Sequence, residues 1–244
     1  MRPAEPVPIL QGFVERLAAV RARIALAAER SGRDPVSVVL VGASKRVAAE
    51  RLREAVSAGL SDLGENRVQE AREKIAALPD IASQVHWHLI GHLQSNKAKL
   101  AAALFDWVHS VDSESVAREL DRRAAETGRR LSVLVEVNTS GEPSKFGVAP
   151  GGVLGLLQAV TACSALELRG LMTVGPLTDD VEASRFAYRL LAQSLSEARR
   201  AFPGARLDQL SMGMSADFEV AVEEGATMVR VGTALFGPRE GARG

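Results

Sequence analysis

The stretch Leu131-Ser-Val-Leu-Val-Glu-Val137, followed by Gly151–Ala162, is the clearest example of the pattern that decides the fold. The first segment carries β-branched residues at positions 133, 135 and 137, which is typical of a strand buried in a sheet. The second segment is longer and amphipathic, as expected of a helix. A strand followed by a helix of this kind predicts parallel strands joined by crossover helices.

The same alternation recurs along the whole 244-residue chain. Eight such units in this length predict a (β/α)8 barrel, an α/β fold, as one domain over 1–244 with the barrel at about 36–237. A doubly wound open sheet is the alternative, but no G-x-G-x-x-G follows the first strand. The predicted strands are Val36–Val41, Leu60–Leu63, Trp87–Ile90, Trp107–Val111, Leu131–Val137, Leu168–Val174, Leu207–Ser211 and Met228–Val231. The predicted helices between them are Ala48–Ala58, Arg67–Leu78, Ser95–Ala103, Ser115–Thr127, Gly151–Ala162, Val181–Ala201 and Ala216–Glu224.

An additional helix is predicted before the first strand, over residues 11–30. Its apolar stripe includes Phe13, Leu17, Val20 and Ile24, and the segment Ser31-Gly-Arg-Asp-Pro35 ends it. Only residues 233–244 follow the eighth strand, which is too few for a full closing helix. We therefore expect the N-terminal helix to pack outside the barrel near strand 8.

Composition and charge exclude several classes of function. Thirty basic and thirty acidic residues cancel, which argues against a nucleic-acid or anionic membrane surface. The single cysteine, Cys163, suits a reducing cytoplasm, and its alanine neighbours predict a small buried filler. The segment Met1–Leu10 has three prolines and no long apolar stretch, so neither a signal peptide nor a membrane span is expected. Because no heptad repeat predicts an interface between subunits, a monomer is expected.

Lys45 stands directly after the apolar run Val36–Ser44, where a buried strand ends. A lysine at such a place can lose its proton through desolvation and become a nucleophilic amine. That chemistry forms Schiff bases with aldehydes, pyridoxal phosphate above all. The alternative is a lysine that extends its ammonium group into solvent at the end of a strand.

The last two strand ends carry the residue types that bind phosphate. Ser211-Met-Gly-Met-Ser215 supplies hydroxyls and backbone donors, and Gly232 with Thr233 begins a short helix. Barrels often bind phosphate after strands 7 and 8. Glycines that merely serve tight turns are the alternative. Arg230, inside strand 8, is expected to point inward and to need a carboxylate, a phosphate or a ring nitrogen, with Glu65 as one candidate carboxylate.

Three histidines, His86, His88 and His92, crowd the third strand and its end. Alternation places the first two on one face, which could suggest a metal site. No cysteine or carboxylate cluster completes a ligand set at the required spacing, so no metal is predicted. Polar contacts inside the barrel or at its rim are expected instead.

The ordered series of motifs resembles the pyridoxal 5′-phosphate homeostasis proteins, called proline synthase co-transcribed homologues in animals. The matching segments run over about 200 residues and reach all but the two ends. They are Val41–Lys45, Gly64–Glu70, Trp87–Lys97, Val135–Thr139, Glu142–Gly147, Gly170–Thr173, Leu210–Asp217 and Val229–Gly237.

The resemblance implies a barrel like the N-terminal domain of alanine racemase that binds pyridoxal 5′-phosphate (PLP). It implies that Lys45 forms the imine, that Asn66 lies near the cofactor ring, and that Arg230 lies near the pyridine nitrogen. It also implies the phosphate-binding positions Ser211, Met212, Gly232 and Thr233. The implied role is PLP homeostasis, with PLP-dependent apo-enzymes as recipients.

A carrier is favoured over an enzyme, because stereoinversion also needs an acid or base on the opposite face of the substrate. Racemases with this barrel take that group, a tyrosine, from a second domain, for which no residues are left here. The only tyrosine, Tyr188, lies within a predicted helix. Three alternatives stay open: a PLP-dependent amino-acid racemase or lyase of low activity, a Schiff-base aldolase acting on a phosphorylated sugar, and a scaffold without cofactor.

Overall fold

Eight parallel strands close into a barrel in chain order in the computed structural model, which describes residues 12–238. Strand β1 pairs with both β2 and β8, so the sheet has no free edge. The predicted (β/α)8 barrel is confirmed and the doubly wound sheet is wrong. The strands are β1 Val39–Ala43, β2 Asp62–Glu65, β3 His86–Leu89, β4 Trp107–Val111, β5 Leu131–Glu136, β6 Leu166–Met172, β7 Gln209–Ser211 and β8 Met228–Val231.

The helices lie close to their predicted positions, with shifts of a few residues at the ends. They are α1 Phe13–Arg30, α2 Ala49–Ser57, α3 Val68–Ala77, α4 Ala98–Leu104, α5 Glu114–Glu126, α6 Val153–Thr161, α7 Val181–Ala201, α8 Phe218–Glu223 and α9 Thr233–Phe236. Strand β1 begins three residues later than predicted, because Pro35–Ser37 forms a 3-10 turn. Asp34 caps that turn by accepting the backbone N–H of Val36, which is therefore exposed.

Helix α1 packs outside the barrel against α8 and α9, the helices that precede and follow β8, as predicted. The rings of Phe13 and Phe236 lie 5.4 Å apart, and Arg23 forms a 2.7 Å ion pair with Glu219. The predicted first residue of this helix, Gln11, lies outside the described residues. So do the segment Met1–Leu10 and the last residues of the predicted domain.

Two further expectations concern the rest of the chain. Cys163 is buried, with a free thiol, in agreement with its predicted role as a filler. Between residues 12 and 238 no helix is long and apolar enough to cross a membrane.

The side chains that fill the barrel interior are unusually polar. A small apolar cluster of Leu134, Met172 and Met228 lies inside the barrel, separate from the main core between strands and helices. Beside it the interior holds buried polar groups, including His88, His109, Ser211 and Arg230. Branched apolar residues usually dominate this space. The polar filling therefore requires an explanation beyond packing.

Candidate functional site

A cavity of about 440 Å³ opens at the carboxyl ends of the strands and is called the mouth pocket here. Its size lies within the range usual for small-molecule sites, roughly 300–1,000 Å³. Five of the seven predicted site residues line it: Lys45, Asn66, Arg230, Gly232 and Thr233. The barrel thus brings together residues that are up to 188 positions apart in the chain, from Lys45 to Thr233.

Lys45 follows β1 directly and is half-buried at one side of the mouth pocket. No hydrogen bond or ion pair joins its amine to any residue between 12 and 238. The peptide before it is held by Lys74, whose Nζ donates to the carbonyl oxygen of Ser44 at 2.7 Å. The same Nζ contacts Glu65 at 2.6 Å and Glu70 at 2.7 Å. This buried ion cluster fixes the backbone beneath Lys45.

The residue after Lys45 has an uncommon backbone conformation. Arg46 has a φ of 60°, the only positive φ of a non-glycine residue between positions 12 and 238. Such a conformation is unfavourable for a long side chain and persists only where its surroundings enforce it. Here the Arg46 backbone N–H donates to Glu70 at 2.5 Å. The ion cluster therefore holds Lys45 from both sides.

Glu65 belongs to this cluster, and the suggestion that it pairs with Arg230 is wrong. Its Oε1 accepts hydrogen bonds from Ser44 Oγ and Lys74 Nζ, both at 2.6 Å. Burial raises the pKa of Glu65, although the charge and hydrogen bond of Lys74 act against it. The sequence placed Glu65 at a strand end but could not show which neighbour it would face.

Arg230 points into the barrel, as alternation along β8 predicted, and is almost completely buried. Its Nη1 donates to Ser211 Oγ at 2.5 Å and its Nη2 to the carbonyl oxygen of Thr173 at 2.7 Å. Burial lowers the pKa of Arg230, against the attraction of Tyr188, Glu136 and other nearby groups. A guanidinium nevertheless keeps its proton in proteins.

Ser211 and Met212 are not brought to the mouth pocket. Successive side chains of a strand point to opposite faces. Ser211 therefore points into the barrel, where its hydroxyl contacts Arg230 and lies 2.9 Å from Nδ1 of His109. Met212 points outward into the main core and is fully buried. Neither residue lines the mouth pocket in the described chain, and their assignment to the phosphate-binding positions stays a prediction.

Ser215, which the sequence prediction of site residues missed, lines the mouth pocket instead. Its Oγ accepts backbone N–H groups of Gly232 at 3.1 Å and Ala234 at 3.4 Å, at the start of α9. Gly213 has a φ of 88° and lies against α8, so the loop after β7 can turn back over the barrel. The signal was the second serine of the Ser211–Ser215 motif, which alternation alone could not place.

The rest of the mouth pocket combines an apolar wall with a cationic rim. Ile90 and Val174 supply apolar surface. The lining residues with ionisable side chains, among the described part of the chain, are Lys45, Arg46, Arg51 and Arg230. All four carry positive charge when protonated, which suits an anionic ligand.

The histidines of the third strand do not form a metal site. His86 is exposed and His88 is buried, and both approach Asp62, at 3.5 and 3.0 Å. His92 stacks on Phe146 at the rim instead. Within residues 12–238 no group of three histidine, cysteine, aspartate or glutamate side chains could hold a metal ion.

Comparison with known proteins adds independent information. Residues 16–240 match the family model described as "Alanine racemase, N-terminal domain". The pyridoxal phosphate homeostasis protein of Pseudomonas aeruginosa is 45% identical over 93% of this chain and 96% of its own length. PipY of Synechococcus elongatus, in a structure with PLP bound, has a TM-score of 0.83 at 40% identity and covers 93% of this chain and 100% of its own.

An alanine racemase of Clostridium difficile shares the fold at 16% identity, with a TM-score of 0.69. The match covers 96% of this chain but only 58% of the racemase. The chain therefore matches the homeostasis protein and PipY over nearly their whole length and at much higher identity than the racemase. The chain belongs to the pyridoxal phosphate homeostasis protein family, within the larger group that shares the N-terminal barrel of alanine racemase.

Proposed function

We propose that this protein binds PLP in the mouth pocket and serves PLP homeostasis by holding the cofactor and releasing it. The residues present fit the chemical groups of PLP. The hydroxyls of Ser215 and Thr233, beside Gly232, suit a phosphate, while Ile90 and Val174 suit an aromatic ring. The PLP-bound structure of PipY supports the same ligand class.

Lys45 is the residue we assign to the covalent bond. Its amine nitrogen would attack the aldehyde carbon, and the aldehyde oxygen would leave as water, giving an imine that an incoming amine can displace. Asn66 and Arg230 are assigned to the ring, with Arg230 near the pyridine nitrogen. The observation that carries this proposal is the half-buried Lys45 amine, which has no partner within residues 12–238 and lies in a pocket lined by anion-binding groups.

The ionisable side chains that line the mouth pocket favour a carrier over an efficient enzyme. Apart from Lys45, the ionisable lining residues of the described chain are arginines, which do not release protons at neutral pH. Tyr188 is fully buried, and its hydroxyl donates to Asp217 at 2.6 Å instead of lining the pocket. A second acid or base is therefore lacking among these residues.

The decisive experiment is an absorbance spectrum of the purified protein, before and after borohydride reduction, with peptide mapping of the adduct. We expect an imine band that reduction fixes to Lys45. The matched variants are Lys45→Ala, which should lose the adduct, and Lys145→Ala, which removes a lysine outside the mouth pocket and should keep it. A colourless protein that does not bind added PLP would refute the proposal and favour the Schiff-base aldolase.

Three finer points belong to the same proposal. We expect the protein to be a cytoplasmic monomer and to deliver PLP to PLP-dependent apo-enzymes. Transfer to an apo-enzyme faster than PLP leaves into a chemical trap would support delivery by contact. Turnover of any amino acid that disappears in Lys45→Ala would show instead that the protein is a racemase or lyase.

A further inference from the structure

A continuous chain of hydrogen bonds crosses the barrel interior beneath the mouth pocket. Asp62 accepts or shares a hydrogen bond with His88 Nε2 at 3.0 Å, and His88 Nδ1 lies 2.9 Å from His109 Nε2. His109 Nδ1 lies 2.9 Å from Ser211 Oγ, which in turn accepts from Arg230 at 2.5 Å. These five residues are called the polar chain below.

The polar chain runs across the barrel and not along its wall. Its members come from β2, β3, β4, β7 and β8, and β4 and β7 are not neighbours in the sheet. The bond between His109 and Ser211 therefore spans the interior. His88 is stacked on Trp107 with the planes 8° apart, which fixes its ring.

The chemistry of the two ends sets the direction of every hydrogen bond. An ionised Asp62 only accepts, so His88 must carry its proton on Nε2. The neutral His88 then accepts at Nδ1, so His109 must donate from Nε2. His109 accepts in turn at Nδ1, which requires the hydrogen of Ser211, and Ser211 is left with lone pairs for Arg230. In this arrangement each of the hydrogen bonds along the polar chain has one donor and one acceptor. The chain has a negative end at Asp62 and a positive end at Arg230.

Charge and burial agree with neutral histidines in the middle. Burial lowers the pKa of His88, against the hydrogen bond and charge of Asp62. Burial holds the pKa of His109 well below its ordinary value, and the positive charge of Arg230 acts in the same direction. Burial acts to raise the pKa of Asp62, but the hydrogen bonds of His88 and Ser61 outweigh it and the pKa is lowered.

We propose that Ser211, His109, His88 and Asp62 are positioning residues that orient Arg230 toward the ring nitrogen of the bound cofactor. The inference rests on the proposed function for the identity of that target. Because a guanidinium keeps its protons, the polar chain transmits orientation and not a proton. Ser211, expected at the phosphate, acts in this view on the opposite side of the ligand.

The far end of the polar chain lies at a second cavity. Asp62 lines a cavity of about 540 Å³ at the opposite end of the barrel, together with Arg21, Val39 and Ser61.

A buried hydrogen-bond network in which some groups lack partners costs more than an apolar filling, whereas a fully satisfied network specifies a single arrangement. A substitution at Asp62 should therefore alter the orientation of Arg230 across the whole barrel.

The first test reads the tautomers directly in the protein without cofactor, by ¹⁵N NMR of histidine-labelled samples. The chain has four histidines, so single substitutions assign each signal. We expect His88 and His109 to be neutral at pH 7, with the proton on Nε2 in both. Asp62→Leu should remove this preference at His109, and Asp62→Asn, which keeps an acceptor, should preserve it. An Nδ1–H tautomer or a charged ring in the wild type would overturn the chain.

The second test connects the polar chain to the ligand. Ser211→Ala should weaken PLP binding about tenfold, the loss expected for one hydrogen bond to a charged group. The same variant should bind 1-deaza-PLP, which lacks the ring nitrogen, as well as wild type does. Ser194→Ala is the matched control, because Ser194 is also buried but bonds to Leu190 on α7. We expect it to bind both ligands like wild type.

The outcomes separate this inference from the proposed function. Equal weakening of both ligands by Ser211→Ala would refute the role toward the ring nitrogen. Failure of wild-type protein to bind PLP at all would refute the proposed function and, with it, that target. The NMR result on the cofactor-free protein would still decide whether the polar chain exists as assigned.

Discussion

Glu136→Gln should stabilise this protein in neutral and alkaline solution. Glu136 lies on β5, is 5% exposed, and its Oε2 has no hydrogen-bond partner within residues 12–238. Burial raises its pKa from 4.5 to about 7, and the nearby Asp112 adds to the shift while Arg230 opposes it. The ionised carboxylate is thus poorly accommodated in the folded protein.

The sign and size of the effect follow from linkage. The folded state binds the Glu136 proton more tightly than the unfolded chain, so wild-type stability is lost as pH rises between about 4.5 and about 7. Each tenfold change in proton affinity is worth about 1.4 kcal/mol, which gives roughly 3 kcal/mol above pH 7. At pH 5 most of this difference should be absent. In a chain of this size, 3 kcal/mol corresponds to roughly 6–12 °C in Tm.

The assay is urea unfolding of wild type and Glu136→Gln from pH 5 to pH 8.5. The free-energy difference between them should grow with pH in favour of the variant and level off above pH 7. Glu54→Gln, which makes the same change at an exposed position on α2, is the control for loss of charge. A difference that does not vary with pH, or that grows in favour of wild type, would refute the reasoning.

Three other substitutions test separate parts of the structure. Lys74→Met should cost about 3–5 kcal/mol in urea unfolding, because it leaves Glu65 buried without its counter-charge. Adding Glu65→Gln should restore part of the loss, and an unchanged free energy of unfolding in the single variant would contradict the role of the buried ion cluster beneath Lys45. Ser215→Ala should weaken PLP binding about tenfold in a fluorescence titration, as one lost hydrogen bond to phosphate implies, whereas unchanged affinity would remove Ser215 from the phosphate site. Leu17→Ala should lower the free energy of unfolding by about 2–5 kcal/mol, since Leu17 is buried in the main core, and a loss below about 1 kcal/mol would mean that α1 is not part of the cooperative fold.

Much of the fold could be predicted because its signal is repeated. A strand and a helix recur eight times, so an error at one boundary does not change the number of units. The errors that occurred have local causes. Val36 reads as a strand residue by composition, yet Pro35 and the capping Asp34 turn the chain there. The fixed φ of Pro35 and the cap by Asp34 decide this boundary, and the strand propensity of a single valine does not.

The site was predicted less completely, since its geometry depends on which way each side chain points. Lys45 and Thr233 follow the ends of their strands and reach the mouth pocket. Ser211 is the last residue of β7 and still obeys strand alternation, so its hydroxyl turns into the barrel. The polar chain was invisible in the sequence, because its members are distant residues from five strands. Only closure of the barrel brings His109 to Ser211.

The barrel shared with alanine racemase does not decide between carrier and enzyme, because one fold serves many chemistries. Inversion at carbon needs one group to remove a proton from one face and another to return it to the opposite face. In the described part of the mouth pocket the ionisable side chains other than Lys45 are arginines, which keep their protons in proteins. Glu136, whose pKa lies near 7, does not line the pocket. Among the described lining residues no second acid or base accompanies Lys45, which supports the carrier that we propose.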